Sequence, residues 1–149
     1  MKLRPRTIVA MTAIAAVAVA VTISMARPGC TSVTGGDELV IAGHLLDKGT
    51  AKTFCYRDEA GKNLRFVLAR GSDGKVRSVM DACQQCYSYH KGFAYEDGYL
   101  VCRLCGNRYP IDDILKGKAS CVPVAIPNTE AGDRITIRTA DLKKNGWLF

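Results

Sequence analysis

Histidine and tryptophan are scarce in this sequence, and the residue sets of many hydrolytic enzymes are missing. The chain has two histidines, His44 and His90, and one tryptophan. No Ser/His/Asp set and no paired-carboxylate motif is present, so the sequence carries no motif of a hydrolytic enzyme and predicts no small-molecule substrate. His90 follows Cys86 by four residues and is predicted to be a surface loop histidine. His44 belongs to no motif.

The sequence also lacks runs of Lys and Arg with interleaved aromatic residues. Its formal charge is +7, but three of the 21 basic residues precede an apolar N-terminal segment. The remainder carries 18 basic against 14 acidic residues, or +4. This composition predicts a mildly basic surface and gives no support to nucleic-acid binding.

The N-terminal segment predicts export. Basic residues occupy positions 2, 4 and 6, and residues 7–26 then form a run of 20 residues without a charge. Such a run spans about 30 Å as a helix, enough to cross the hydrocarbon core of a bilayer. We predict a single-pass signal anchor at residues 1–26, with the positive flank in the cytoplasm. A cleaved signal peptide is the alternative, since Ser24-Met25-Ala26 has the small-x-small form of a cleavage site.

Two further regions follow the apolar segment. Residues 27–36 are rich in Ser, Thr and Gly and are predicted to be a flexible spacer, and residues 37–149 are predicted to form one extracytoplasmic domain. Cys30 and Cys55 are candidates for a disulfide in an oxidising compartment.

The domain is predicted to be mainly β, with antiparallel strands joined by short turns. Apolar and alternating runs predict strands at 38–42, 51–57, 64–69, 76–80, 93–96, 99–101 and 134–138. The strongest hairpin signal is Asp97-Gly98, between the sixth and seventh of these strands. Residues 112–115 are predicted to make one helical turn, 121–127 an extended segment and 139–144 a short helix.

Four cysteines in two C-x2-C units carry the strongest signal for a site. Cys83 and Cys86 are followed, after fifteen intervening residues, by Cys102 and Cys105. Two thiolates separated by a tight turn can bind one ion, while the backbone N–H groups of the turn point at the sulfurs. Gly106 allows the left-handed conformation that closes such a turn. The spacing predicts a metal or iron–sulfur site held by these four cysteines.

Other interpretations of the same spacing remain open. Zinc ribbons have the same pattern, so zinc competes with iron. Disulfides within each C-x2-C unit, as in a dithiol oxidoreductase, are the structural alternative, although no βαβ pattern surrounds either pair.

The motifs around the cysteines resemble the FtrD-like family of bacterial membrane iron–sulfur proteins. The resemblance covers residues 38–149 and lies in Asp81-Ala82-Cys83 to Cys86-Tyr87, Lys91-Gly92-Phe93, Val101-Cys102 to Cys105-Gly106, Tyr109-Pro110-Ile111 and Cys121-Val122-Pro123-Val124. It implies association with ferric-iron uptake, beside a permease and periplasmic metal-binding proteins. It also implies an anchor in the bacterial cell membrane and a periplasmic domain. Cys121 is then a fifth cofactor-binding candidate, as a lid, an alternative ligand or a redox partner, or else a buried small side chain.

The order of the loops is also distantly similar to a Rieske domain. Such domains hold a two-iron cluster between two loops with two Cys and two His ligands. Cys86 and Cys105 would occupy the histidine positions, which implies an all-thiolate [2Fe–2S] cluster in a small Rieske-like or rubredoxin-like domain. Another cluster, mononuclear iron and zinc are the alternatives.

The sequence therefore favours a membrane-anchored carrier of single electrons in an iron-uptake or respiratory system, with an iron permease or a redox protein as its partner. A zinc- or iron-stabilised module that delivers metal or docks on a permease is the second hypothesis. A dithiol oxidoreductase is the third.

Overall fold

The structure is a computed structural model that describes residues 29–116 and 121–149. In these residues the chain forms eleven strands, one α-helix and four short 3₁₀ helices. The strands are β1 Thr31–Val33, β2 Glu38–Ala42, β3 Thr50–Arg57, β4 Asn63–Arg70, β5 Val76–Cys83, β6 Phe93–Glu96, β7 Tyr99–Cys102, β8 Arg108–Pro110, β9 Pro123–Ala125, β10 Thr129–Ala131 and β11 Arg134–Arg138. The helices are α1 at Thr139–Lys144 and 3₁₀ turns at Gly43–Leu45, Tyr87–Tyr89, Ile111–Asp113 and Gly146–Leu148.

The strands of the described residues form three sheets. The central sheet has the order β1-β3-β4-β5-β9, and the two smaller sheets have the orders β10-β11-β2 and β6-β7-β8. Each hydrogen-bonded pair is antiparallel except β1 with β3, which is parallel. The predicted mainly β, antiparallel class is confirmed apart from that pair.

The central sheet is buried on both faces. Leu64, Phe66 and Leu68 of β4 belong to a first core, shared with β2, β11 and α1. Val67 and Ala69 belong to a second core, shared with the β6-β7-β8 sheet. Because side chains alternate along a strand, a strand covered on both sides needs apolar residues at successive positions. This explains the consecutive apolar residues that predict a buried strand at 64–69.

The same alternation along β5 brings a cysteine into the second core. Met80 and Ala82 pack in the first core, whereas Val79 and Cys83 pack in the second. The strand is predicted to end at residue 80 but continues to Cys83. The extension is stabilised by β9, since Cys83 pairs with Pro123. Strands 38–42 and 134–138 and helix 139–144 have their predicted bounds.

Part of the predicted spacer, residues 27–36, has a regular structure. Thr31–Val33 pairs with β3, and Cys30 forms the predicted disulfide with Cys55, with Cα atoms 5.7 Å apart. The pairing of Thr31–Val33 with β3 joins segments that are not neighbours in the chain, so the local composition of residues 27–36 does not indicate it.

No helix in the described ranges is long and apolar enough to cross a membrane. The predicted anchor, residues 1–26, lies outside the described residues.

Candidate metal centre

Cys83 and Cys86 form a first tight turn at the end of β5. The Cys86 N–H donates to the Cys83 carbonyl oxygen at 3.2 Å and to the Cys83 Sγ at 3.3 Å. The second contact confirms the prediction that an amide of the turn points at a sulfur. The turn thereby places a backbone donor beside a sulfur that could bind a metal.

Cys102 and Cys105 form a second turn at the end of β7. The Gly106 N–H donates to the Cys102 carbonyl oxygen at 2.9 Å, which closes the turn. Gly106 has a φ of +72°, in the left-handed region that its lack of a Cβ makes accessible. Cys102 is buried and Cys105 is exposed, so the second turn runs from the core to the surface.

The hairpin between the two turns places them side by side. β6 and β7 pair through the predicted Asp97-Gly98 turn, and their register sets Phe93 opposite Cys102. The Arg103 N–H donates to the carbonyl oxygen of Gly92 at 3.0 Å, and its Nε donates to that of Phe93 at 2.9 Å. The β6 end of the hairpin is thereby tied to the second turn.

Cys121 reaches the same place from a distant part of the chain. Its Sγ lies 3.0 Å from that of Cys83, 3.3 Å from that of Cys105 and 4.0 Å from that of Cys86. The sulfurs of Cys83, Cys86, Cys102 and Cys121 all lie within 4.8 Å of one another. The spacing predicts four convergent thiols from two turns, and the structure brings to them Cys121, the fifth candidate that the family resemblance implies.

Without a cation the Cys86 thiol favours its protonated form. Burial and the neighbouring cysteine side chains raise the pKa of the Cys86 thiol well above its ordinary value. Several thiolates this close together would repel one another in a site of low dielectric constant. A bound metal ion supplies the missing positive charge and deprotonates coordinating thiols. All-thiolate donor sets bind iron–sulfur clusters and zinc, so the residues fit such a group.

A buried aspartate supports the first turn, and sequence reasoning gives it no individual role. Asp81 lies two residues before Cys83, and one of its oxygens accepts the Phe93 N–H at 2.7 Å. The other oxygen accepts Nε of Arg65 at 2.9 Å. Burial raises the pKa of Asp81, while these two hydrogen bonds oppose the shift. The available signal was an acidic residue directly after a predicted buried strand and two positions before a predicted ligand, because a carboxylate buried there needs a partner.

Gly92 lets the hairpin approach this carboxylate. A Cβ on Gly92 would lie 2.6 Å from the nearer oxygen of Asp81, and Gly92 has a φ of +66°. The glycine is therefore required both by its conformation and by its closeness to the side chain. Asp81 joins the strand that ends at Cys83 to the hairpin that ends at Cys102.

The tyrosines near the site have different environments. Tyr109 is 1% exposed, its ring packs edge-on against Phe93, and its hydroxyl donates to the Cys121 carbonyl oxygen. Burial and the neighbouring cysteine raise the pKa of Tyr109, which keeps this donor protonated. Tyr87 packs edge-on against Trp147, and Tyr89 is 63% exposed. Tyr109 is thus the tyrosine that the structure ties to the cysteines by a hydrogen bond.

The remaining candidates lie on the surface. His90 is exposed and ends the 3₁₀ turn at Tyr87–Tyr89. His44 pairs with Asp133, its Nδ1 2.6 Å from the carboxylate, and the histidine side chain is 70% exposed. Arg108 pairs with Glu96 at 3.2 Å. None of these side chains is among the convergent groups of the described residues.

The part of the chain that contains these cysteines matches a known protein family. A family model described as "Membrane iron-sulfur containing protein FtrD-like" matches residues 46–149, a range that includes both turns and Cys121. The chain belongs to the FtrD-like family. Membership in this family and the convergence of cysteine sulfurs indicate that this FtrD-like protein binds an iron–sulfur cofactor or another metal cofactor. No curated protein sequence matches the chain.

Solved structures with a similar fold are distant from this FtrD-like protein. The complex of oxygenase and ferredoxin in carbazole 1,9a-dioxygenase has 17% identity and a TM-score of 0.45, and the match covers 74% of this chain and 29% of that one. The quaternary ammonium Rieske monooxygenase CntA has 18% identity and a TM-score of 0.44, with 65% and 31% covered. The chain thus spans about a third of the length of these proteins. These similarities are of fold alone and give no information on activity.

Proposed function

We propose that this protein is a membrane-anchored iron–sulfur protein that carries single electrons on the extracytoplasmic face of a bacterial membrane. The observation that carries the proposal is the convergence of cysteine sulfurs on two hairpin-linked turns in a chain of the FtrD-like family. Such a group takes four cysteine ligands, and Cys83, Cys86, Cys102, Cys105 and Cys121 are the five candidates from which they come. An iron–sulfur cluster supplies reversible one-electron chemistry.

The two states of the cysteines support an extracytoplasmic location. Cys30 and Cys55 form a disulfide, whereas the other five cysteines form none. Disulfides persist mainly in oxidising compartments, where thiols this close together would be open to oxidation unless a metal held them. The apolar run at residues 7–26 supplies the means of export and of anchoring.

The space beside the cysteines favours a carrier over an enzyme. A cavity of about 50 Å³ is lined by Cys83, Cys86 and Cys102 together with Arg65, Asp81 and Phe149. Sites for small organic ligands have volumes of about 300–1,000 Å³. A cofactor held by the cysteines would leave little room for a substrate, so its electrons would pass to a protein. An iron permease or another component of the membrane is the partner that the family association suggests.

Anaerobic purification of the full chain tests the proposal. We expect a coloured protein with stoichiometric iron and acid-labile sulfide, and an electron paramagnetic resonance signal that appears on one-electron reduction. An all-thiolate [2Fe–2S] cluster should have a potential near about −400 mV, below the Rieske range of about −150 to +300 mV. The potential should change little with pH near neutrality, since no ligand is an imidazole. A potential above zero, or a steep dependence on pH, would contradict this assignment.

The same experiment separates the alternatives. The all-thiolate donor set also fits zinc, so a colourless protein with one zinc per chain would indicate a metal-stabilised module that delivers metal or docks on a permease. A metal-free protein that gains two titratable thiols per C-x2-C unit on reduction would indicate a dithiol oxidoreductase.

A further inference from the structure

Five thiols surround a site that needs four, and their positions are not equivalent. Tetrahedral thiolate sites and iron–sulfur clusters take four cysteine ligands. The spacing of the two C-x2-C units predicts Cys83, Cys86, Cys102 and Cys105. In the structure the group whose sulfurs all lie within 4.8 Å of one another contains Cys121 in place of Cys105.

We propose that Cys121 is a metal ligand together with Cys83, Cys86 and Cys102, and that Cys105 is the spare, exchangeable thiol of the site. The inference rests on the proposed function in one respect, since it requires that the cysteines bind a metal. It differs from the prediction of the sequence in the identity of the fourth ligand.

The backbone of the Cys121 loop is fixed toward the other cysteines. Pro123 pairs with Cys83 in the β5–β9 ladder. The Val122 carbonyl oxygen accepts the Gln84 N–H at 3.5 Å, within the first turn. The buried Tyr109 hydroxyl donates to the carbonyl oxygen of Cys121 from the opposite sheet. Contacts from both sides hold the residue, as hydrogen-bonded neighbours hold metal ligands in their binding geometry.

The sulfur of Cys121 also lies within 4.0 Å of three other sulfurs, those of Cys83, Cys86 and Cys105. It is 3.0 Å from the Cys83 sulfur and 3.3 Å from that of Cys105, so it contacts both turns. Cys121 is 7% exposed. A thiol that served only for packing would gain nothing from contact with several other thiols, and a bound cation makes that contact favourable.

Cys105 has the opposite character. It is exposed, whereas Cys83, Cys102 and Cys121 are buried and Cys86 is partly buried. An unbound thiol costs little free energy where water still solvates it, whereas an unbound buried thiol lacks such a partner. When only four of the five thiols bind, the exposed Cys105 is therefore the one left free. It lies only 3.3 Å from the Cys121 sulfur, close enough to exchange with it.

Matched cysteine variants of the full chain test the assignment with Co²⁺ and Zn²⁺ as probes. Under reducing, anaerobic conditions, Cys105→Ala should keep the wild-type intensity of thiolate-to-Co²⁺ charge transfer and a Zn²⁺ affinity within about threefold of wild type. Cys121→Ala should lose part of that intensity and bind Zn²⁺ at least about tenfold more weakly, since loss even of an indirect support costs about 10- to 100-fold. Cys121→Ser and a near-ultraviolet circular dichroism spectrum show whether the fold survives.

Alkylation of the loaded wild-type protein gives a readout that needs no variant. Iodoacetamide should modify Cys105 and spare Cys121, as measured by peptide mass spectrometry. The ligand assignment would be overturned if Cys105→Ala weakened metal binding or if Cys121→Ala left it unchanged. It would also be overturned if the loaded wild-type protein were alkylated at Cys121 and protected at Cys105. Either result would still leave a metal site in the protein. Failure of the wild-type protein to bind either ion or a cluster would instead overturn the proposed function, and this inference with it.

Discussion

Nε of Arg65 donates a hydrogen bond to Oδ2 of Asp81 over 2.9 Å, and the Asp81 side chain is only 1% exposed. The arginine side chain is 31% exposed, so the pair joins the surface to the second core. The other oxygen of Asp81 accepts the N–H of Phe93. One carboxylate thus links β4, β5 and the start of β6 beside Cys83.

Replacement of Asp81 should destabilise the domain. Asp81→Ala leaves the buried Phe93 N–H without an acceptor and Arg65 without its partner, which should cost about 3 kcal/mol of unfolding free energy. Asp81→Asn keeps an acceptor for Phe93 and should cost less. Chemical denaturation of the reduced, metal-free protein measures both. Glu96→Gln is the control, because the Glu96–Arg108 pair is about half exposed on each side and such pairs contribute about 0–1 kcal/mol. Equal costs for Asp81→Ala and Glu96→Gln would show that the buried pair has no special role.

Gly92→Ala should destabilise the protein more than Gly132→Ala. Both glycines have a positive φ, +66° at Gly92 and +58° at Gly132, so both variants carry backbone strain. A Cβ at residue 92 would also meet the Asp81 carboxylate at 2.6 Å, whereas nothing lies within 4 Å at residue 132. The difference in unfolding free energy should be about 1–3 kcal/mol, the usual cost of overpacking. If the two variants are equally stable, the close approach of Gly92 to Asp81 does not constrain the hairpin.

Removal of the disulfide should lower stability without changing the metal site. The Cys30–Cys55 bond closes a loop with a sequence separation of 25, for which chain entropy predicts about 3 kcal/mol. The double variant Cys30→Ala/Cys55→Ala avoids a leftover thiol and should show that loss in denaturation. Its Co²⁺ spectrum should match that of wild type, because neither residue is among the five thiols of the site. A changed spectrum would show that β1 influences the site.

Protonation of Asp73 should lower the unfolding free energy of the protein at acid pH. Arg77 donates to both of its oxygens, at 2.9 Å and 3.0 Å, and these hydrogen bonds lower the pKa of Asp73 to about 2. A carboxylate whose folded pKa is depressed stabilises the folded state above its unfolded pKa of about 3.9, and that contribution is lost as the pH falls toward 2. Asp73→Asn should therefore be less stable than wild type at pH 6, and the gap should narrow between pH 4 and 2. A gap that stays constant over this range would show that the ionised carboxylate is not the cause.

The turns that carry four of the cysteines could be predicted because their determinants are local. The spacing of Cys83 and Cys86, Gly106 after the second pair, and the Asp97-Gly98 turn between the pairs each act within a few residues of chain. The strand Glu38–Ala42 follows from a short apolar run and Arg134–Arg138 from apolar alternation, and both patterns are also local. These turns and strands depend little on how the rest of the chain packs, so the sequence alone predicts them.

Contacts between distant segments could not be predicted in the same way. Cys83 and Cys121 are 38 positions apart, and Asp81 and Arg65 are 16 apart, so no periodicity or spacing joins them. The parallel pairing of Thr31–Val33 with β3 is of the same kind. Each depends on how the sheets pack, which is a property of the whole core.

The amino-acid sequence by itself determined that this protein has two hairpin-linked cysteine turns in a mainly β domain, because turn chemistry and side-chain alternation depend on neighbouring residues. The family resemblance made Cys121 a further candidate, but only the tertiary structure decided how close its sulfur lies to those cysteines, that Asp81 supports them and that Cys105 stays at the surface. Burial and long-range hydrogen bonding exist only once the layers of the fold have packed together.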